Sequence, residues 1–166
     1  MAEWQETVIQ GGFVFLVLCA MLTDLSTLRV PNLIPLALCG LFLLSGATGG
    51  DWQEISLHML VGIGALAGGF WLFSLGVLGG GDAKLAAAVA LWMGPSHLGA
   101  FLLLTVLLGG LAALALIGLK KLIMFNPALE SRAAIARPAA WARAGKLPYA
   151  LPIGLSALIL GPGLFS

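Results

Sequence analysis

Two aspartates carry the chemistry in this chain. Asp24 follows a long apolar run, and Asp82 follows another, in Leu78-Gly79-Gly80-Gly81-Asp82-Ala83-Lys84. Two carboxyl groups held close together do not both ionise easily, so one keeps a proton while the other stays charged. The charged one can deprotonate a water. The protonated one can donate to a carbonyl oxygen and stabilise a tetrahedral intermediate. Such a pair titrates as a unit, so neither residue is assigned as the acid or the base. The glycine triplet removes side chains and permits positive φ, which allows a tight turn and the approach of a second chain. Blander readings exist for each residue. Asp24 can be an interfacial residue reaching water, Asp82 can be a helix N-cap before Ala83, and Lys84 can be a snorkelling anchor. Lys84 lies two residues beyond Asp82, off its helix face, where it adds positive potential.

The elements that must position these residues follow from composition. Of 166 residues, 60% are hydrophobic and 9% charged, with net charge +1 and mean hydropathy +1.07. An average soluble domain is about 45–50% apolar and about 25% charged, and a soluble core of this size could not bury the excess. The composition excludes a soluble domain, a disordered chain and a disulfide scaffold, and the small net charge argues against a nucleic-acid partner. The expected class is all-α, a polytopic protein of the lipid bilayer.

Six apolar runs are long enough to be considered as spans at about 1.5 Å per residue: residues 7–24, 33–50, 55–78, 83–95, 97–119 and 149–165. The fourth is the shortest. Glu3 and Glu6, rather than Lys or Arg, precede the first run, which is therefore expected to be a retained span and not a cleaved signal. With six crossings, Arg29, Lys84, Lys120, Lys121, Arg132, Arg137, Arg143 and Lys146 all fall on one side. Glu3, Glu6, Asp51 and Glu54 fall on the other, with no basic residue. The positive-inside rule then places both termini outside and the 120–148 loop in the cytoplasm. An odd number of crossings separates Asp24 and Asp82 each from the outside, so both belong to the cytoplasmic face. The 120–148 loop is expected to fix topology by charge, with an amphipathic surface helix as the alternative. The whole chain, 1–166, reads as one transmembrane domain.

The remaining residues have modest readings. Cys19 and Cys39 sit in apolar runs as small hydrophobes, with no metal-ligand spacing. His58 and His97 lack a partner pattern, so no metal and no cofactor is expected. Trp4, Trp52, Trp92 and Trp141 read as interfacial anchors. Arg29 either orients a carboxylate or obeys the charge bias. Pro31 and Asn32 suit a helix start, with Pro in the first turn and Asn capping.

Gly79-Gly80-Gly81-Asp82-Ala83-Lys84 resembles the GxGDxK pattern of type IV prepilin peptidases, membrane aspartic proteases. Asp24-Leu25-Ser26-Thr27-Leu28-Arg29-Val30-Pro31-Asn32 is similar to that family's first-aspartate segment. Leu91-Trp92-Met93-Gly94 also matches, and Leu147-Pro148-Tyr149-Ala150-Leu151-Pro152-Ile153-Gly154 resembles the Pro-aromatic segment opening the last helix, with Ala150 where Gly is usual. A bare GxGD is weak in a chain with 23 glycines, but two motifs in the right order on one face are specific together. The resemblance implies that Asp24 and Asp82 are the catalytic pair, supported by Gly79, Gly81, Lys84, Arg29, Pro31 and Asn32. It implies a prepilin substrate cut after a Gly to release a short basic leader, in the inner (cytoplasmic) membrane of a bacterium. The family's long form carries a cytoplasmic insertion with two Cys-x-x-Cys pairs and N-methylates the new terminus. Lacking both, this chain resembles the short, peptidase-only form of tight-adherence (Flp-type) pili. Two other classes stay open on the residues alone: an ion- or proton-coupled transporter using the two aspartates, and a non-catalytic scaffold of a secretion machine.

Overall fold

The computed structural model describes residues 3–47, 51–126 and 133–161. Among them every regular element is helical: α1 (Glu3–Thr27), α2 (Leu33–Ala47), α3 (Trp52–Ser74), α4 (Gly80–Phe125), α5 (Ala133–Ala144) and α6 (Ala150–Leu160). Three of these helices are long and apolar enough to cross a membrane: α1, α3 and α4. Large apolar side chains cover the outside of the bundle, Phe15, Leu22, Leu60, Phe70 and Leu103 among them. That is the surface of a protein whose solvent is lipid.

Each helix turns one stripe inward. Phe13, Val17, Ala20, Met21 and Asp24 of α1 recur at helical spacing and are buried, as are Ile34, Leu38 and Phe42 of α2. α1 runs a turn past its expected end at Asp24. The Ser26 and Thr27 hydroxyls donate back to the carbonyls of Leu22 and Thr23, so polar residues stay helical there. α3 ends at Ser74, before the expected Leu78. Gly76 takes φ +72°, and the N–H groups of Gly76 and Val77 return to the Phe73 and Leu72 carbonyls, a Schellman ending.

The break expected at residue 96, between the fourth and fifth runs, falls two residues earlier, at Gly94, whose φ of 59° and ψ of −172° interrupt α4 just before Pro95. Pro95 has no N–H, so the carbonyl of Leu91 loses its helical partner. His58 Nδ1 fills that vacancy at 2.8 Å. The fourth run, the shortest, is the core of the bundle: Ala87 to Gly94 are all buried. Its alanines let α3 come close, so that a Cβ on Gly69 would stand 3.1 Å from that of Ala83.

Trp92 is not an interfacial anchor. It is 5% exposed, its ring packs 5.0 Å from Phe13 and 5.5 Å from Phe42, and its indole N–H donates to the Leu38 carbonyl. Trp4 and Trp52 are exposed, as expected of anchors. Within the 120–148 loop, α4 continues to Phe125 and α5 is a helix that buries Ala139 and Ala142. Part of that loop is thus helical, with Arg137 and Arg143 carried on the helix. Arg132 lies outside the described residues.

Candidate active site

α6 supplies what holds Asp24. A helix start leaves its first N–H groups without internal partners. Here each is accounted for. The Ala150 N–H donates to Asp24 Oδ2 at 2.9 Å, the Leu151 N–H donates to the Pro148 carbonyl, and Pro152 has none to offer. Ile153 opens the helical ladder by donating to Tyr149. The Pro-aromatic segment thus leaves one N–H, at the positive end of a helix dipole, for the carboxylate. Asp24 is 3% exposed, and burying a carboxyl there requires such a partner.

Asp82 stands in the first turn of α4, whose N-cap is Gly79. It is therefore the third helical residue and not the cap before Ala83. The glycine triplet adopts no positive φ, so its turn needs space rather than a left-handed backbone. A Cβ on Gly79 would stand 2.5 Å from Asp82 Oδ2, because the carboxylate lies back over it. A Cβ on Gly81 would stand 3.2 Å from the Val30 carbonyl oxygen and 3.4 Å from its nitrogen. Gly81 thereby seats α4 directly on the backbone of the α1–α2 connection, eight residues or fewer from Asp24. The two aspartate motifs, expected to share a membrane face, pack against each other where Gly81 meets Val30.

Lys84 reaches across to the first motif: its Nζ donates to Asn32 Oδ1 at 2.9 Å. The Asn32 carbonyl accepts from the Leu36 N–H at the start of α2, so its backbone serves the helix and its side chain serves Lys84. Pro31 lies two residues before α2, not in its first turn, and its carbonyl accepts from Ile34. Arg29 is exposed and makes no ion pair among the described residues. The structure does not bring it to either carboxyl group. Leu28, just past α1, has φ +54°, a conformation that costs a non-glycine residue about 1–2 kcal/mol. Its N–H closes the last turn on the Asp24 carbonyl. Strain of this kind concentrates at functional sites.

Ala150 and Leu28 are the contributors that residue types did not single out. Ala150 acts through its backbone, and the signal for it was the pair of prolines flanking a helix start. Among the described residues no cluster of three metal-ligating side chains forms. The arrangement offers one carboxyl group near the end of α1, clamped by a backbone donor, and a second in the first turn of α4, with the Lys84 cation held by the Asn32 amide.

The family model described as type IV leader peptidase family matches residues 12–114, a stretch that contains both aspartates and their motifs. It covers well over half the chain. No curated protein and no solved structure matches. The chain belongs to the type IV leader peptidase family.

Proposed function

We propose that this member of a peptidase family is a multi-pass membrane aspartic endopeptidase in which Asp24 and Asp82 are the catalytic pair. Its substrate is a prepilin of the tight-adherence (Flp-like) kind. The bond cut is the one joining the basic leader to the apolar helix, at the cytoplasmic face of a bacterial inner membrane. The observation that carries this reading is the clamp of the Ala150 N–H on Asp24 Oδ2, with Gly81 of the second aspartate motif packed against the Val30 backbone of the first. One carboxylate takes a proton from water as the water oxygen attacks the peptide carbonyl carbon. The other carboxyl gives its proton to the carbonyl oxygen. Collapse of the tetrahedral intermediate breaks the C–N bond and passes a proton to the leaving amine. The Ala150 N–H keeps one oxygen of Asp24 occupied and aims the other, a form of pre-organisation.

Six crossings, both termini outside and 1–166 as one domain complete the reading. The first leg of α4, residues 80–93, spans only about 21 Å at 1.5 Å per residue, against a hydrocarbon core of about 30 Å. This short crossing keeps Asp82 near the boundary where a basic leader stays in water. The test is incubation of the detergent-purified protein with a tight-adherence prepilin, read by a gel shift and by the mass of the new N-terminus. Leader loss with wild type, and none with Asp24→Asn or Asp82→Asn, is the expected result. Cleavage by either variant, or none by wild type, overturns the assignment.

A further inference from the structure

A recessed apolar groove of about 350 Å³ opens between α2, α3 and the first leg of α4. Cys39 and Leu43 line it from α2, Ile63 and Leu66 from α3, and Ala88 from α4. Its polar end is formed by Lys84 and Asn32, the pair joined by the hydrogen bond that ties the two aspartate motifs together. The groove therefore begins at a contact shared by the two aspartate motifs, although neither aspartate lines it. From Asn32 to Leu43 it follows α2 for eleven residues, about 16 Å at the helical rise, roughly half of a 30 Å hydrocarbon core.

We infer that this groove is the docking site for the first turns of the substrate's apolar helix, immediately after the cut bond; the inference rests on the function proposed above. Three features favour a helix as the occupant. Gly62, Ala87 and Ala88 line the groove, and small residues are what allow another helix backbone to come close inside a membrane. The groove runs along α2, α3 and α4 together, so a helix lying in it packs lengthwise and not across the bundle. Its one cationic end disfavours the basic leader there, which sets direction: the leader turns toward water and the two carboxyl groups, and the apolar segment enters the groove. Lipid acyl chains are the competing occupant. They would show no helical register and no dependence on substrate sequence.

The native Cys39 makes the test direct. In a Cys19→Ser, Asp82→Asn background, single cysteines are placed along the first fifteen residues of a prepilin's apolar segment and crosslinked to Cys39. Crosslinks recurring every three to four positions, and confined to about the first eleven residues, are expected. In the Cys19→Ser single variant, Ile63→Trp places an indole at the rim of the groove. It should lower kcat/KM at least tenfold more for the full prepilin than for a peptide ending just after the cut bond, mainly through KM. Leu107→Trp, an exposed position away from the groove, serves as the control and should not change that ratio. Prepilin cleavage with no periodic crosslinks and an unchanged ratio in Ile63→Trp overturns the groove while sparing the dyad. Absence of all cleavage by the wild type overturns both.

Discussion

Asp24 offers a way to separate chemistry from architecture, because it carries a structural bond and a proposed catalytic role on the same carboxylate. Asp24→Asn keeps an oxygen that can accept the Ala150 N–H. A hydrogen bond to a charged group contributes about 1.5–3 kcal/mol and a neutral one about 0.5–1.5, so the expected loss of stability is only about 1 kcal/mol. Asp24→Leu keeps the branching of the side chain but has no acceptor. It strands the Ala150 N–H in a buried position, at a cost of about 1–3 kcal/mol beyond the bond itself. Catalysis should rank them differently. A positioned acid–base group contributes about 10²–10⁴ in rate, equivalent to about 2.7–5.4 kcal/mol on the barrier. Both variants should therefore be equally inactive, although only Asp24→Leu unfolds readily. Initial rates of leader release, set beside denaturant titrations in detergent, give the two scales. An Asp24→Asn protein that cleaves within tenfold of wild type would refute the catalytic role. One that unfolds as easily as Asp24→Leu would refute the clamp.

Gly81→Ala should cost about 1–3 kcal/mol, since its new Cβ meets the Val30 backbone, which cannot move aside as a side chain can. Gly80→Ala meets only the Phe73 ring at 3.4 Å and should be neutral or better; equal losses at the two positions in the same unfolding assay would contradict the packing argument. Leu28→Gly relieves about 1–2 kcal/mol of left-handed strain against about 0.4–1 kcal/mol of added unfolded-chain entropy. Denaturation should show a gain of up to about 1.6 kcal/mol, and a loss of about 0.4–1 kcal/mol or more would mean that the strain is absent. His58→Phe keeps the ring stacked on Phe42 but removes the donor to the Leu91 carbonyl, so stability should fall by about 1–3 kcal/mol; no change would show that another group caps the break. In a cysteine-free background, a cysteine at position 51 should react with an impermeant maleimide from outside, and one at position 146 only after permeabilisation. Labelling of position 146 from outside would overturn the topology and the shared face of the aspartates.

Much of the site was legible because acids are scarce in this chain. Asp24 and Asp82 stood out against apolar runs, and span counting assigned both to one face as an expectation. The break at Gly94-Pro95 was legible too, since each of those residues punctuates a helix on its own. What escaped notice acts through the backbone or through distant partners. Ala150 has no chemistry of its own, and its N–H becomes a site feature only once α6 is laid against α1. Trp92 followed the habit of its residue type until the rings of Phe13 and Phe42, from two other helices, enclosed it. Lys84 and Asn32 were each read locally, and only the fold shows that they hold one another. Helix ends shifted by a turn for local reasons, such as the hydroxyl back-bonds at Ser26 and Thr27, that apolar patterning does not register.

The clamp on Asp24 joins residues 126 positions apart. A chain leaving the ribosome at about 5–20 residues per second therefore presents Asp24 to the membrane about 6–25 seconds before Ala150 exists to hold it. Asp82 joins the chain 58 residues after Asp24, and for the rest of that interval both carboxyl groups are present, yet the first lacks its donor and α6 is not in place. On the function proposed above, a half-made chain therefore has no clamped Asp24 with which to cut a substrate until α6 has been laid against α1.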